Sequence, residues 1–451
     1  MKKIVILIVI VTGVQLLSAQ RIKKVTSTNF KSWAVTPPMG WNSWDSYGPT
    51  VEEHEVKANA DYMSAYLKKF GWEYIIVDIR WFVKNDKAGG YNQTDPIYEI
   101  DKYGRYQPAV NKFPSAKDGQ GFKKLAEYIH RRGLKFGIHI MRGVPKEAVE
   151  KKLPILGGNG INADQIYSTE IQCEWLKDNY TIVADKPGAQ EYYNSIINMY
   201  AEWGVDFIKV DDLSFPYHKA EIEMIRKAID QSGRPIVFSA SPGETPISEA
   251  QHISKHANMW RLVGDVWDTW EDIAHLFRVT EKWYSYILPG TWPDCDMIPL
   301  GRLAIRGERG LDRMSNLSRD EQYTLMTLFT IFKSPLMFGG DLPSNDDFTL
   351  SLLTNKDVLK MHKESSGVKQ LFNKDGKVAI TSKNEKTGEI YLAIFNLNDK
   401  SSSISVDLSD IGINDTVKAT NLWNIKNNFK LDKRIIKELR PHSSMLLKLN
   451  R

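Results

Sequence analysis

Two runs of this chain end in acids that could act together on one bond. One is Asp206-Phe207-Ile208-Lys209-Val210-Asp211-Asp212; the other is Trp260-Arg261-Leu262-Val263-Gly264-Asp265. Successive side chains of a β-strand face opposite sides, so Lys209 and Asp211 share one face while Ile208 and Val210 take the other. Arg261 and Asp265, four residues apart, share a face in the same way. Two carboxyl groups in one pocket can divide the work of cleaving an acetal. One attacks the anomeric carbon or activates water, and the other protonates the leaving oxygen. A cation beside each acid can set the two apart in proton affinity. Other strand-like runs also end in acid, at Asp78 and at Asp294 with Asp296. A single aspartate at such a place serves more often as a cap or ion-pair partner, but Lys-x-Asp and Arg-x-x-x-Asp together favour chemistry. Trp41, Trp44, Trp81 and Trp292 also fall at predicted strand ends. An indole face suits the C–H face of a sugar ring, although each tryptophan alone is equally good core.

Bringing those acids together requires a fold that gathers strand ends. Short apolar runs lie at 39–44, 74–77, 135–140, 206–210, 235–239, 259–263, 292–298 and 335–338, with amphipathic helices between them. Eight β-then-α units predict a (β/α)8 TIM barrel, whose active site lies at the C-terminal ends of the strands. A doubly wound open sheet is the alternative, but no Gly-rich dinucleotide turn follows the first strand. The clearest helix is predicted to start at Thr50, with Glu53 completing a capping box. Val56, Met63, Leu67 and Phe70 then share a face and Gly71 ends it;. From about residue 366, runs at 378–382, 390–396, 402–408, 417–421 and 444–449 read as strands of a small C-terminal antiparallel β-sandwich;. No exposed aromatic cluster is evident there, which favours a structural appendage over a polysaccharide-binding module. The expected organisation is a signal peptide at 1–20, the barrel at 21–365 and the β domain at 366–451.

Composition narrows the function classes. Charged residues make up 25% and hydrophobic ones 42% of 451 residues, the balance of a globular protein;. The net charge of +5 is small and scattered, which argues against a nucleic-acid footprint;. Lys2 and Lys3, the apolar run from Ile4 to Leu17, and Ser18-Ala19 read as a secretory signal;. The run is short for a membrane span, so an exported protein, periplasmic or secreted, without a span in its mature chain is expected. Cys173 and Cys295 leave pairing open;. No Cys/His cluster has structural-zinc spacing, and no metal or cofactor is expected. Gly339-Gly340 could cradle an anion or simply permit close packing, and no basic anchor accompanies it;.

Several motifs carry a more specific resemblance. They are Pro37-Pro38-Met39-Gly40-Trp41-Asn42-Ser43-Trp44, Asp206 to Asp211, Trp260-Arg261 with Asp265, Trp292-Pro293-Asp294-Cys295-Asp296-Met297, and Ser334-Pro335-Leu336-Met337. On these the chain resembles glycoside hydrolase family 27, the α-galactosidase clan, over essentially its whole mature length. The resemblance implies Asp211 as nucleophile and Asp265 as general acid/base. It implies Lys209 and Arg261 as binders of ring hydroxyls, Trp44 as the sugar platform, and Asp78 as acceptor near the 4-hydroxyl. It also implies retention of configuration through a glycosyl-enzyme ester, with carboxyls about 5–5.5 Å apart. The expected partner is an oligosaccharide or polysaccharide side chain.

The chain departs from the α-galactosidases of this family at three positions. They carry two adjacent aspartates after the second strand, for the 4- and 6-hydroxyls of galactose; here the second is Ile79. An aliphatic side chain accepts no hydrogen bond, and an unpaired buried hydroxyl costs about 1–3 kcal/mol. β-L-Arabinopyranose has the ring stereochemistry of α-D-galactopyranose without the C6 arm, so Ile79 favours the pentose. Val77-Asp78-Ile79 and Gly137 to Gly143 are similar to the β-L-arabinopyranosidase branch. Ser241 stands where a glutamate often faces the 2-hydroxyl, and in this it resembles α-N-acetylgalactosaminidases. His139, often tyrosine in the family, reads equally as a wall of the sugar pocket or as structural. The expected activity is release of terminal β-L-arabinopyranose, with α-galactosidase and then α-N-acetylgalactosaminidase as alternatives. A sugar-binding barrel without activity is disfavoured because both catalytic carboxylates are present.

Overall fold

The computed structural model of the chain describes residues 30–450. The signal peptide expected at residues 1–20 lies outside them. Nine parallel strands form one sheet: β1 (Met39–Asn42), β2 (Tyr74–Val77), β3 (Lys135–Met141), β4 (Phe207–Asp211), β5 (Val237–Ala240), β6 (Met259–Arg261), β7 (Trp292–Asp294), β8 (Met297–Ile298) and β9 (Leu336–Phe338). Their order is β7-β6-β5-β4-β3-β2-β1-β9-β8. The two terminal strands are consecutive in sequence, separated only by Cys295 and Asp296. One bent segment therefore pairs with β6 on one side and β9 on the other, and the sheet closes on itself. This is the expected (β/α)8 barrel.

Register explains why the polar residues gather at one end. Ile76 pairs with Gly137, Gly137 with Phe207, and Phe207 with Val237, so these positions form one row across the sheet. Ile75, Val77, Ile208 and Val210 pack outward against the helices. Tyr74, Ile76, Phe207, Val237, Met259, Trp292, Met297 and Met337 fill the interior. Two residues further along the same faces come Lys209, His139 and Ser239, which are register neighbours. Asp78 and Asp211 follow at the rim. The inward face thus runs from apolar floor to charged mouth, as the strand parity predicts.

One sequence expectation needs correction here. The first helix of the expected set spans Glu53–Tyr62, and its capping box is Glu52 with Glu55, not Thr50 with Glu53. Pro49 opens a separate 3-10 turn at Gly48–Thr50, and Thr50 Oγ1 donates to the Tyr47 carbonyl at 2.9 Å. Helical backbone starts only after the extended Val51 and Glu52. It continues through Met63–Leu67 and Lys68–Phe70 to Gly71, which adopts φ 98°. Of the two readings left open for Gly339-Gly340, close packing is the one the backbone supports. A Cβ on Gly339 would lie 1.9 Å from the Asp45 carboxylate, and one on Gly340 would lie 2.1 Å from the Leu300 carbonyl.

The C-terminal strands are β10 (Ser366–Lys374), β11 (Lys377–Lys383), β12 (Ile390–Asn396), β13 (Ser402–Asp407), β14 (Val417–Asn421), β15 (Asn428–Leu431), β16 (Arg434–Leu439) and β17 (Ser444–Asn450). Six form a sheet in the order β10-β11-β12-β17-β14-β15, and β13 pairs with β16 in a second sheet. Ala379, Ile394, Ile404, Val406, Ile435 and Leu447 are part of the core between them, an antiparallel sandwich;. The helix Arg319–Phe332 joins this sandwich to the barrel: Trp423 Nε1 donates to Thr327 Oγ1 at 2.7 Å, and Thr324 Oγ1 donates to the His442 carbonyl at 2.7 Å. Phe277 meets Phe395 edge-on at 4.9 Å.

Candidate active site

A cavity of about 490 Å³ opens at the C-terminal end of the barrel, within the range of small-ligand sites;. Asp78, Ile79, Lys209, Asp211, Asp265 and Trp44 all line it. The acids therefore meet as the sequence predicts, though by different routes. Asp211 is the last residue of β4, whereas Asp265 lies four residues beyond the end of β6, in a turn. Arg261 holds that turn: its Nη2 donates to the Gly264 carbonyl and to Asp265 Oδ1, the latter at 3.1 Å. Its Nη1 meets Asp296 Oδ1 at 2.5 Å, and Asp296 Oδ2 accepts from the Val266 amide at 2.7 Å. Asp296 thus fixes both the arginine and the backbone beside Asp265.

Asp211 is buried against two cations or potential cations. His139 Nε2 lies 2.8 Å from Oδ2, and Lys209 Nζ lies 3.9 Å from Oδ1. Burial raises the Asp211 carboxyl, but His139 and then Lys209 outweigh it and hold it below the usual carboxylate range;. Lys209 donates to Asp78 Oδ2 at 3.0 Å, and Asn42 Nδ2 donates to the same oxygen at 2.7 Å. The Ile79 amide donates to Asp78 Oδ1 at 2.7 Å. Burial raises the Asp78 carboxyl too, and Lys209 and His139 bring it below its ordinary value. Deeper in the barrel the balance reverses. Burial, only partly offset by Arg261, pushes Asp296 up to about 8 and Asp294 up to about 6.

Three residues expected to meet the sugar, His139, Ser241 and Arg261, lie one layer deeper than the cavity lining. His139 is fully buried and acts on Asp211 rather than on the cavity surface. Ser241 is also fully buried; its Oγ accepts from Arg261 Nη1 at 3.5 Å, while Pro242 and Gly243 form the wall in front. Arg261 reaches the site through Asp265. Of the four tryptophans predicted at the mouth, only Trp44 lines the cavity. Trp41, Trp81 and Trp292 donate their indole N–H groups to the carbonyls of Gly340, His139 and Ala34, and all three are buried.

Other aromatics take their place. Trp44 stacks on Tyr91 at 5.6 Å, Tyr91 lies 6.0 Å from Trp175, and the exposed Phe215 stands on the rim. These residues come from long loops, where no periodicity marks them. Arg80 and Arg142 hold those loops. Arg80 donates to Asp178 at 3.0 and 3.1 Å and to Asp86 at 2.9 Å. Arg142 donates to the Ile171 carbonyl at 3.0 Å and pairs with Asp212 at 2.8 Å. Burial, opposed by Arg142, still pushes Asp212 up to about 6. Cys173 and Cys295 are separate free thiols, both buried. Ile79 is 1% exposed and packs in an apolar cluster with Met141, Cys173 and Leu176.

Comparison with known proteins agrees with this architecture. Residues 36–148 and 157–364 match the family model described as alpha galactosidase A, and residues 375–449 match the alpha galactosidase C-terminal beta sandwich domain. The β-L-arabinopyranosidase of Geobacillus stearothermophilus is 48% identical over 94% of this chain and 99% of its own, with a TM-score of 0.92. An aspartate-to-alanine variant of that enzyme, solved in complex with arabinose, superposes equally well. Alpha-galactosidase 2 of Arabidopsis thaliana is 26% identical over 93% of this chain and 90% of its own length. No helix among the described residues is long and apolar enough to cross a membrane. The chain belongs to glycoside hydrolase family 27.

Proposed function

We propose that this hydrolase releases terminal β-L-arabinopyranose from side chains of plant-type glycans with retention of configuration. The ionised Asp211 attacks the anomeric carbon while Asp265 protonates the departing oxygen. Water activated by Asp265 then cleaves the glycosyl-Asp211 ester, and the proton returns to Asp265. Lys209 and Asp78 meet at 3.0 Å at the cavity wall and bind the ring hydroxyls on the side away from the leaving group. Trp44 supplies the ring platform.

One observation carries the choice of sugar. The side chain after Asp78 is Ile79, which faces the cavity from an apolar cluster that offers the C6 hydroxyl of a hexose no acceptor. The name of the 48%-identical relative and the arabinose complex of its variant support the same choice. The α-galactosidase reading rests on the names of the 26%-identical relatives. An apolar pocket rejects an added hydroxyl by only about a hundredfold, so weak α-galactosidase activity is expected. The α-N-acetylgalactosaminidase reading meets the same obstacle at Ile79. Export after cleavage of residues 1–20 belongs to this proposal, and N-terminal sequencing of the secreted product tests it. The decisive experiment is kcat/KM on aryl β-L-arabinopyranoside, α-D-galactopyranoside and α-N-acetylgalactosaminide. The arabinopyranoside should be fastest; a galactoside faster by a wide margin overturns the assignment.

A further inference from the structure

Away from the sugar cavity, Glu223, His252 and His256 bring a carboxylate oxygen and two imidazole nitrogens within 4.8 Å of one another. They lie on neighbouring helices, Lys219–Ser232 and Ala250–His256. Histidines four apart on a helix are surface neighbours, and these two rings stack with centroids 4.2 Å apart. The outer nitrogens are already engaged. His256 Nδ1 lies 2.8 Å from the His252 carbonyl, which fixes its proton on Nδ1 and leaves the Nε2 lone pair outward. His252 Nδ1 lies 2.5 Å from the Tyr217 hydroxyl, and its Nε2 lies 3.1 Å from Glu223 Oε1. Proteins orient metal-binding imidazoles in this way, by an acceptor on the nitrogen that does not bind the metal.

We propose that Glu223, His252 and His256 form a binding site for a first-row divalent cation of the Zn²⁺ type. Two imidazoles and a carboxylate suit that class, and a solvent molecule would complete a tetrahedron. Glu223 is half exposed, so its carboxylate can swing onto the ion. On loading, the His252 proton moves from Nε2, where it faces Glu223, to Nδ1, so that Nε2 binds the ion and Nδ1–H donates to the Tyr217 oxygen. Tyr217 directly follows Phe215 and Pro216 at the cavity rim, so the ion would brace the loop at 213–218. The spacing of Cys and His along the sequence does not reveal this site, because the third ligand arrives from another helix.

The test uses the full-length protein, stripped by a chelator and titrated with Zn²⁺ in a calorimeter. One Zn²⁺ per chain is expected, with affinity reduced about tenfold or more in His256→Ala, in Glu223→Gln and in Tyr217→Phe. Zn²⁺ should also raise Tm in the wild type and not in His256→Ala, and Co²⁺ should give a four-coordinate absorption spectrum. No saturable binding, or binding indifferent to both His256→Ala and the surface change Glu223→Gln, overturns the proposal.

Discussion

At the scale of single residues, the site works by giving each carboxyl different neighbours. Asp211 has His139 and Lys209, Asp78 has Lys209 and the Ile79 amide, and Asp265 has Arg261. His139 is the partner whose removal is most diagnostic. Losing it lets the Asp211 carboxyl rise toward its ordinary value, so the proposed nucleophile is protonated at higher pH. His139→Asn should therefore move the acidic limb of kcat/KM upward by about one pH unit, a shift that loss of packing alone would not produce. Asp211→Ala should lower kcat by about 10⁴-fold or more while the protein remains folded by circular dichroism. Strand parity made Lys209 and Asp211 readable in the sequence, and Asp78 was readable as the acid that ends another apolar run;. Parity gives a face but not a depth, so His139 and Ser241 could not be placed behind the wall in advance. It also cannot distinguish the indole of Trp44, which faces the cavity, from those of Trp41 and Trp81, which satisfy their N–H groups in the core.

At the scale of elements, the strand ends are bent sharply and clamped. Arg80, Asp212 and Asp296 all have positive φ, at 67°, 63° and 91°, within three residues of the ends of β2, β4 and β7. Left-handed backbone at a non-glycine residue costs of order 1–3 kcal/mol and persists only where the surroundings enforce it. Each bend is accompanied by a buried guanidinium–carboxyl contact: Arg80 with Asp178, Asp212 with Arg142, and Asp296 with Arg261. Arg80→Met leaves Asp178 and Asp86 without their buried partner. It should cost about 3–5 kcal/mol in urea denaturation and should raise KM, because the loop carrying Trp175 loses its anchor. The eight-fold alternation of strands was legible because each strand is a short apolar run. The strands β10, β15 and β16 were missed because much of their surface is exposed and they carry no such run. The rim loops were missed for a similar reason: Tyr91, Trp175 and Phe215 stand in segments with neither period.

At the scale of the molecule, the sandwich is fastened to the barrel through the apolar contacts of the helix Arg319–Phe332 and of Phe277. Phe395 is fully buried against Phe277, and Trp423 bonds to Thr327 across the same junction. Barrel and sandwich should therefore unfold together, in one calorimetric transition. Phe395→Ala should destabilise that single transition by about 3–5 kcal/mol; two separated transitions in the wild type would show that the junction does not couple them. The change of character near residue 366 was legible because the helical period gives way to alternation. The contacts across the junction were not, since they join residues 96 to 118 positions apart.

The central claim is that Ile79, beside the acid Asp78, selects a sugar without a C6 arm. It is tested most directly by the ratio of kcat/KM for aryl β-L-arabinopyranoside to that for aryl α-D-galactopyranoside, in the wild type and in Ile79→Asp. The ratio should lie well above one in the wild type and fall about 10- to 100-fold in the variant, through a gain on galactoside. A ratio unchanged by the substitution, in a variant that remains folded, would contradict it.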